Sequence, residues 1–377
     1  MKKLIYLISV VAFLMSNWSC DDTAMDPISI ENEKVIIHKS KLQNKEFESE
    51  ALIGNPIGNS AIRKMQVYTP PGYDKKRETG YPVIYLLHGF PFSEKAFIDE
   101  QLWDQWIDPN GFFKTYPDFP EEGFQAWIDD LILSGKIEPL IIVMPNASNV
   151  NYGFSFYTDS ALNGNFEQFI STDLVKFIDK RYHTIPNKDG RALIGHSQGG
   201  YGAVIMGMKH PDKFSVIAAH GAPLFFNALP YLNTILVEEN PDGLTGPDPS
   251  KFLTSGYYAM AAAWSPNLLN PPFMVDLPME FPSGDLIDDV WAKWLNNDPF
   301  SMLDTYGDNF RSLNGIYIDC GDIDEFGWGG LDYDYFFKKM DAYRISYFRD
   351  SFQGGHVDQV YSRLELSLIF CSDNMGI

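Results

Sequence analysis

Residues 191–204, Arg-Ala-Leu-Ile-Gly-His-Ser-Gln-Gly-Gly-Tyr-Gly-Ala-Val, set an apolar run against a serine crowded by glycines, then resume small and apolar. Arg191 to Ile194 reads as a strand and Tyr201 to Met208 as a helix, so Ser197 falls on the turn between them. Gly195-His196-Ser197-Gln198-Gly199 fits G-x-S-x-G, in which a sharp strand-to-helix turn lifts a serine hydroxyl above the sheet. Side chains at the glycine positions would collide with neighbouring backbone. The pentapeptide alone is a weak signal. Its setting makes Ser197 a candidate nucleophile rather than a residue of an incidental turn.

Outward from this point, short apolar runs alternate with segments of helical period, the pattern of a mainly parallel sheet with helices on both faces. Pro82 to Gly89, Pro139 to Asn146, Arg191 to Gly195, Ser215 to His220 and Gly315 to Cys320 read as strands. Phe166 to Tyr182 spaces its apolar residues by three and four, as an amphipathic helix does. Val35 to Leu42 and Ile62 to Thr69 alternate apolar and polar residues, which predicts two antiparallel strands ahead of the parallel set. Near the C-terminus, Asp332 to Tyr343 reads as a helix, Ile345 to Phe352 as the eighth strand and Val357 to Phe370 as a last helix. Two regions break the alternation: the aromatic-rich Phe90 to Lys136, and Pro223 to Met302, dense in Pro, Asn and Asp. Long insertions after parallel strands lie at the carboxyl edge of a sheet, where ligands bind, so both are candidate cap segments.

A serine hydroxyl needs a base to take its proton, and in this arrangement the chain order is Ser, then Asp or Glu, then His. Only His220 and His356 follow Ser197, and His220 ends the next strand, leaving no later strand to carry the acid. His356, in Gln353-Gly354-Gly355-His356, is therefore the candidate base. The acid belongs in the loop after the strand Gly315 to Cys320, where Asp322, Asp324 and Glu325 can all reach outward. Spacing does not choose among them. The backbone N–H groups of Gln198 and of Phe90, after His88-Gly89, are the candidate oxyanion donors. Tyr152, Phe154, Trp264 and Trp328 are candidate substrate-binding aromatics, able to wall a pocket or stack on sugars. The acidic stretch Asp322 to Glu325 lacks the His or Cys partners of a transition-metal site, and no metal or cofactor is expected.

Residues 1–20 carry two lysines, an apolar run from Leu4 to Met15 and small or polar residues ending at Cys20. The pattern is that of an export signal, too short to span a bilayer comfortably. Cys20 resembles the lipidated cysteine of bacterial lipoproteins, although Asn17 stands where their motif usually has leucine. On this reading residues 21–34 are a tether, residues 35–377 form the folded domain, and the protein is exported to the periplasm or outer cell surface. Ordinary cleavage with a free Cys20 is the alternative. Cys320 and Cys371 sit in apolar surroundings and are expected as buried free thiols, with a disulfide between them, which an oxidising compartment would permit, as the alternative. The formal net charge of -21 argues against nucleic acid as a partner, because phosphate binding rests on clustered Lys and Arg.

Val67-Tyr68-Thr69-Pro70-Pro71-Gly72-Tyr73, Tyr85-Leu86-Leu87-His88-Gly89, Gly195 to Gly200, Asp319 to Phe326 and Gly354-Gly355-His356 together resemble the esterase D or carbohydrate esterase family 1 group of the α/β-hydrolases. The resemblance runs from about Val35 to Phe370. It implies an α/β-hydrolase fold, an eight-stranded mostly parallel sheet with helices on both faces and cap-like insertions. It also picks Asp324 as the acid, with Asp322 as runner-up. The activity implied is that of a serine esterase without cofactor, acting on a carbohydrate ester, feruloyl or acetyl. A siderophore or other small ester, or a catalytically silent glycan-binding role, is the alternative. Gln198 stands where most members have methionine, and Pro223 to Met302 exceeds the usual length, which leaves the substrate open.

Overall fold

In the computed structural model, residues 39–104, 115, 117–248, 251–326 and 330–376 are described. The signal, Cys20 and the tether lie outside them, as do Trp106, Phe112, Phe113, Tyr116 and Trp328.

The main sheet is built from β1 (Lys41–Glu48), β2 (Ile62–Thr69), β3 (Val83–Leu87), β4 (Ile141–Pro145), β5 (Arg191–His196), β6 (Val216–His220), β7 (Gly315–Gly321) and β8 (Phe348–Phe352). Its spatial order is β1-β2-β4-β3-β5-β6-β7-β8. β1 pairs antiparallel with β2, and β2 with β4, while every pairing from β4 to β8 is parallel. The first described strand, Lys41–Glu48, extends six residues past the Leu42 at which the alternation ends, while residues 35–38 of that predicted run lie outside the described residues. Its register decides this, because all eight residues Lys41 to Glu48 pair across to Thr69 to Ile62. Phe47 anchors the strand by stacking on Phe177 at 4.6 Å between ring centres.

Central strands are buried on both faces, as parallel strands covered by helices must be. Along β3, Val83, Tyr85 and Leu87 enter one apolar layer and Ile84 and Leu86 the other, the two-residue alternation of a pleated strand. One layer packs against α1 (Phe124–Leu133) and the C-terminal helix; the other takes the Phe166 to Arg181 run and the helix after Ser197. The Phe166 run is one α turn, Phe166–Gln168, a π turn, Phe169–Leu174, and α2 (Val175–Arg181). α3 (Gln198–Lys209) follows Ser197 directly.

The Pro223 to Met302 region is more regular than its composition suggests. It holds a 3-10 turn, Phe226–Leu232, then α4 (Asn233–Glu239), α5 (Phe252–Trp264) and α6 (Asp288–Leu295), and it ends within α7 (Pro299–Arg311). Its two ends are tied together by Asp298, whose carboxylate accepts Ser301 N–H at the start of α7 and Phe226 N–H. Tyr201 of α3 donates its hydroxyl to Asn297 O at 2.7 Å, fastening the segment to the sheet layer. α8 (Leu331–Ala342) and α9 (Val360–Asn374) complete the chain. Cys320 and Cys371 are buried free thiols.

Behind Ser197 lies a buried polar brace. His220 at the end of β6 meets Asp319 of β7 at 2.8 Å and Ser367 of α9 at 3.0 Å. Arg363 donates to Asp319 at 2.8 Å, to Asp350 of β8 at 2.8 Å and to the Tyr317 hydroxyl. Burial opposes ionisation of Asp319, but His220 and Arg363 outweigh it and hold the carboxyl below its ordinary range. Removing the cation strands a buried charge, which is far costlier than the pair is worth. Arg363→Met is therefore expected to lower unfolding stability by about 3–5 kcal/mol, read by urea titration. A loss below about 1 kcal/mol would show that the brace is dispensable.

Candidate active site

Ser197 sits between β5 and α3 with φ 59° and ψ −123°, a backbone conformation that side chains other than glycine rarely adopt. Its surroundings hold it there. A Cβ on Gly195 would lie 2.1 Å from the Gly199 carbonyl, and one on Gly199 would lie 2.1 Å from Leu87 O. The strand end, the turn and β3 thus touch backbone to backbone, and Ser197 N–H donates to His220 O at 2.8 Å.

Of the three acidic residues the sequence leaves open, Asp324 reaches His356. Its Oδ2 lies 2.7 Å from His356 Nδ1, both side chains being buried. Burial works against the charge on Asp324, but His356 and the Phe326 N–H outweigh it and keep the carboxyl below the usual range. Asp322 is exposed and accepts Gly354 N–H at 3.0 Å instead. Glu325 has a third task, accepting the backbone N–H of His356 at 2.7 Å. That contact explains the glycine beside it, since a Cβ on Gly355 would lie 2.6 Å from the Glu325 carboxylate.

His196 is a site residue that the motif does not flag. Its Nε2–H donates to His356 O at 2.8 Å, so the residue before the serine holds the loop that carries the candidate base. Burial, with His356 nearby, pushes its pKa down to about 3, and it is neutral near pH 7. His88 is likewise neutral, lowered by burial to about 4, with Nε2 accepting Ala147 N–H at 2.9 Å. His88 O in turn accepts the Tyr157 hydroxyl at 2.8 Å, which fixes the Gly89–Phe90 turn above β3. Gly89 packs on Ser197: a Cβ there would lie 3.0 Å from the Ser197 Cβ.

Gln198, the first residue of α3, has a backbone N–H without a partner one turn back in the helix. Its side chain has a second job that methionine could not do. Oε1 accepts Ser155 N–H at 2.9 Å and Phe156 N–H at 2.6 Å, stabilising a turn in which Phe156 and Tyr157 both have positive φ.

Ser197, His356 and Phe90 line one cavity of about 360 Å³. Phe90 stacks on Phe154 at 3.7 Å and 11°, and Phe154 on Phe156 at 5.2 Å, giving an aromatic wall. Trp264 also lines the cavity. Tyr152 does not: it is buried and donates its hydroxyl to Phe273 O at 2.7 Å, so its place is structural rather than in the pocket wall. The reason is local, since positive φ at Gly153 turns the chain between Tyr152 and Phe154 and makes room for the Phe90 ring. Much of the remaining wall comes from the Pro223 to Met302 region, including Leu229, Leu232, Leu253 and Met260.

Residues 60–365 match the model of the family Esterase, described as "Putative esterase". The chain belongs to that family. It is 28% identical over 183 residues to an endo-1,4-beta-xylanase/feruloyl esterase of Xylanibacter ruminicola, covering 47% of this chain and 21% of that protein. It is 27% identical over 167 residues to an S-formylglutathione hydrolase of Bos taurus, covering 43% of this chain and 51% of that one. The matches thus span between about a fifth and about half of those relatives' lengths. Among solved structures, a ferulic acid esterase superposes with a TM-score of 0.55 at 21% identity, over 89% of this chain and 99% of that one. An S-formylglutathione hydrolase from Staphylococcus aureus gives 0.52 at 14%, over 88% and 99%. These two likenesses establish the α/β-hydrolase fold of this Esterase family member.

The two neutral histidines make its stability depend on pH. Each binds a proton in the folded state only near pH 4 or 3, whereas the unfolded chain binds it near 6.5. Above pH 6.5 neither state is charged; below it the unfolded state gains the proton first, so stability falls as pH falls. Between pH 6.5 and 5 the expected loss is about 2 kcal/mol per histidine, measured as unfolding free energy in urea. His88→Gln should remove about half of that slope, and an unchanged slope would show that His88 is not held neutral.

Proposed function

We propose that this protein is an exported serine hydrolase of carboxylic esters, with Ser197 as nucleophile, His356 as base and Asp324 as its partner. The observation that carries the reading is the 2.7 Å Asp324–His356 pair beside the cavity that Ser197 also lines. Asp324 accepts Nδ1–H of His356, which leaves Nε2 as the acceptor for a proton. Ser197 Oγ bonds to the ester carbonyl carbon while its proton passes to His356 Nε2. The C–O bond to the alcohol then breaks, and the alcohol oxygen takes that proton. Water repeats the sequence on the acyl-enzyme and releases the acid. The N–H groups of Phe90 and Gln198 hold the oxyanion, a contribution typically worth about 3 kcal/mol per donor.

For the substrate, the reading is an ester of a polysaccharide or oligosaccharide, with a feruloyl group favoured over acetyl. The aromatic wall of Phe90, Phe154 and Phe156 supports this, as does the likeness to the xylanase/feruloyl esterase. Export with lipid on Cys20 is supported by the charged and apolar pattern of residues 1–20. Cys20→Ser is expected to move the protein from the membrane fraction to the soluble fraction of cells expressing the full chain. Retention in the membrane fraction would argue against the anchor.

The catalytic assignment is tested on the purified protein with an aryl ester and a fluorophosphonate label. Ser197→Ala should abolish both turnover and labelling. His356→Ala and Asp324→Asn should lower kcat by about three to four orders of magnitude. Asp322→Asn should stay within a few-fold of the parent. Full activity in His356→Ala would overturn the assignment, and a collapse in Asp322→Asn with Asp324→Asn spared would reassign the acid.

A further inference from the structure

The face of α5 toward the cavity presents Leu253, Gly256, Tyr257, Met260 and Trp264, spaced by three and four residues as one helical stripe. Gly256 is the exception in that stripe. It is buried in the middle of a 13-residue helix, yet a Cβ built on it would meet no atom within 4 Å beyond its two chain neighbours and its own helix backbone. A buried position with open space before it borders a hollow, and the hollow that Gly256 lines is the one that Ser197 and His356 also line. Glycine is a poor choice for a helix interior, since alanine holds the helix better and would meet no obstruction here. The vacancy is therefore open volume that the fold does not require.

The helix is held too firmly for the hollow to close by collapse. Trp264 stacks on Phe226 and packs on Phe156, both at 4.7 Å, and Ser160 donates to Ala262 O at 2.5 Å. Among the described residues, the wall supplied by the Pro223 to Met302 region carries no ionisable carboxylate or amine, and the one hydroxyl deep in it, that of Tyr257, is turned to Leu229 O. A largely apolar hollow, with Glu325 the one carboxylate in its lining among the described residues, suits a bulky neutral group. If the alcohol is part of a polymer, a hollow of about 360 Å³ is too small to take the polymer, so the acyl group is what enters it.

We infer that Gly256 is the specificity-determining residue for acyl size, opening the cavity to neutral acyl groups much larger than acetyl, such as arylacrylates. This rests on the serine-esterase reading. The test is the graded series Gly256→Ala, Gly256→Leu and Gly256→Phe, assayed with p-nitrophenyl acetate and p-nitrophenyl ferulate, which share a leaving group. The ferulate-to-acetate ratio of kcat/KM is expected to fall stepwise with side-chain size, by about tenfold or more at Phe, with most of the change in KM. Should Gly256→Phe not fold, the Ala and Leu steps still carry the trend. A ratio constant within twofold, in variants that label with fluorophosphonate as fast as the parent, overturns the inference. So does a shift that follows the alcohol instead, read with methyl and ethyl ferulate. No turnover and no labelling in the parent would overturn the esterase reading itself, a failure distinct from either of these.

Discussion

The turn at Ser197 is the constraint around which the rest of the site is arranged. A non-glycine residue at φ 59° persists only when its surroundings over-determine it. Here the surroundings are backbone: the Gly195–Gly199 approach, the Gly199–Leu87 approach and the Ser197 N–H bond to His220 O. Each of these joins a different strand of the central sheet to the turn. β3, β5 and β6 must therefore be in register before the serine can stand where it does, and their fully buried strands supply that register. The brace of His220, Asp319 and Arg363 extends the same dependence to β7, β8 and α9.

The candidate base is positioned by a different principle, through several polar contacts on one residue. His356 is held by Asp324 at its ring, by Glu325 at its N–H and by His196 at its carbonyl. Two of these partners are consecutive residues of one loop, and the third precedes the serine. A displacement of the His loop would break contacts to both the acid loop and the elbow. Such over-connection is what pre-organised chemistry asks of its supports, because a loosely held group loses rate steeply with small displacements.

How much of this was legible in the chain differs from residue to residue. The elbow is local, so Gly195, Ser197 and Gly199 announce themselves within five positions. His356 follows from chain order, since only two histidines come after Ser197. The choice of Asp324 over Asp322 and Glu325 is not readable from spacing, because all three sit within four residues and differ only in where the loop aims them. Their three separate hydrogen-bonding tasks exist only once β7 and β8 lie side by side. β1 runs six residues past the end that its alternation predicts, for a related reason. An edge strand with few apolar residues takes its register from its partner, and pairing is not a local signal. Tyr152 and Phe154 could not be told apart by type. The turn at Gly153 sends one under the surface and the other to the cavity.

The Pro223 to Met302 region shows how composition can conceal architecture. Its Pro, Asn and Asp residues read as loop, yet they punctuate helices, and Asp298 caps one of them while binding the other end of the segment. Once closed on itself in this way, the segment behaves as a wall rather than a strap. A wall fixed to α3 through Tyr201 and to the Phe156 turn through Trp264 holds a constant distance from Ser197. The size of the cavity is then set by the side chains that the wall presents, which is why a single glycine in α5 can matter as much to recognition as the residues that touch the reacting bond.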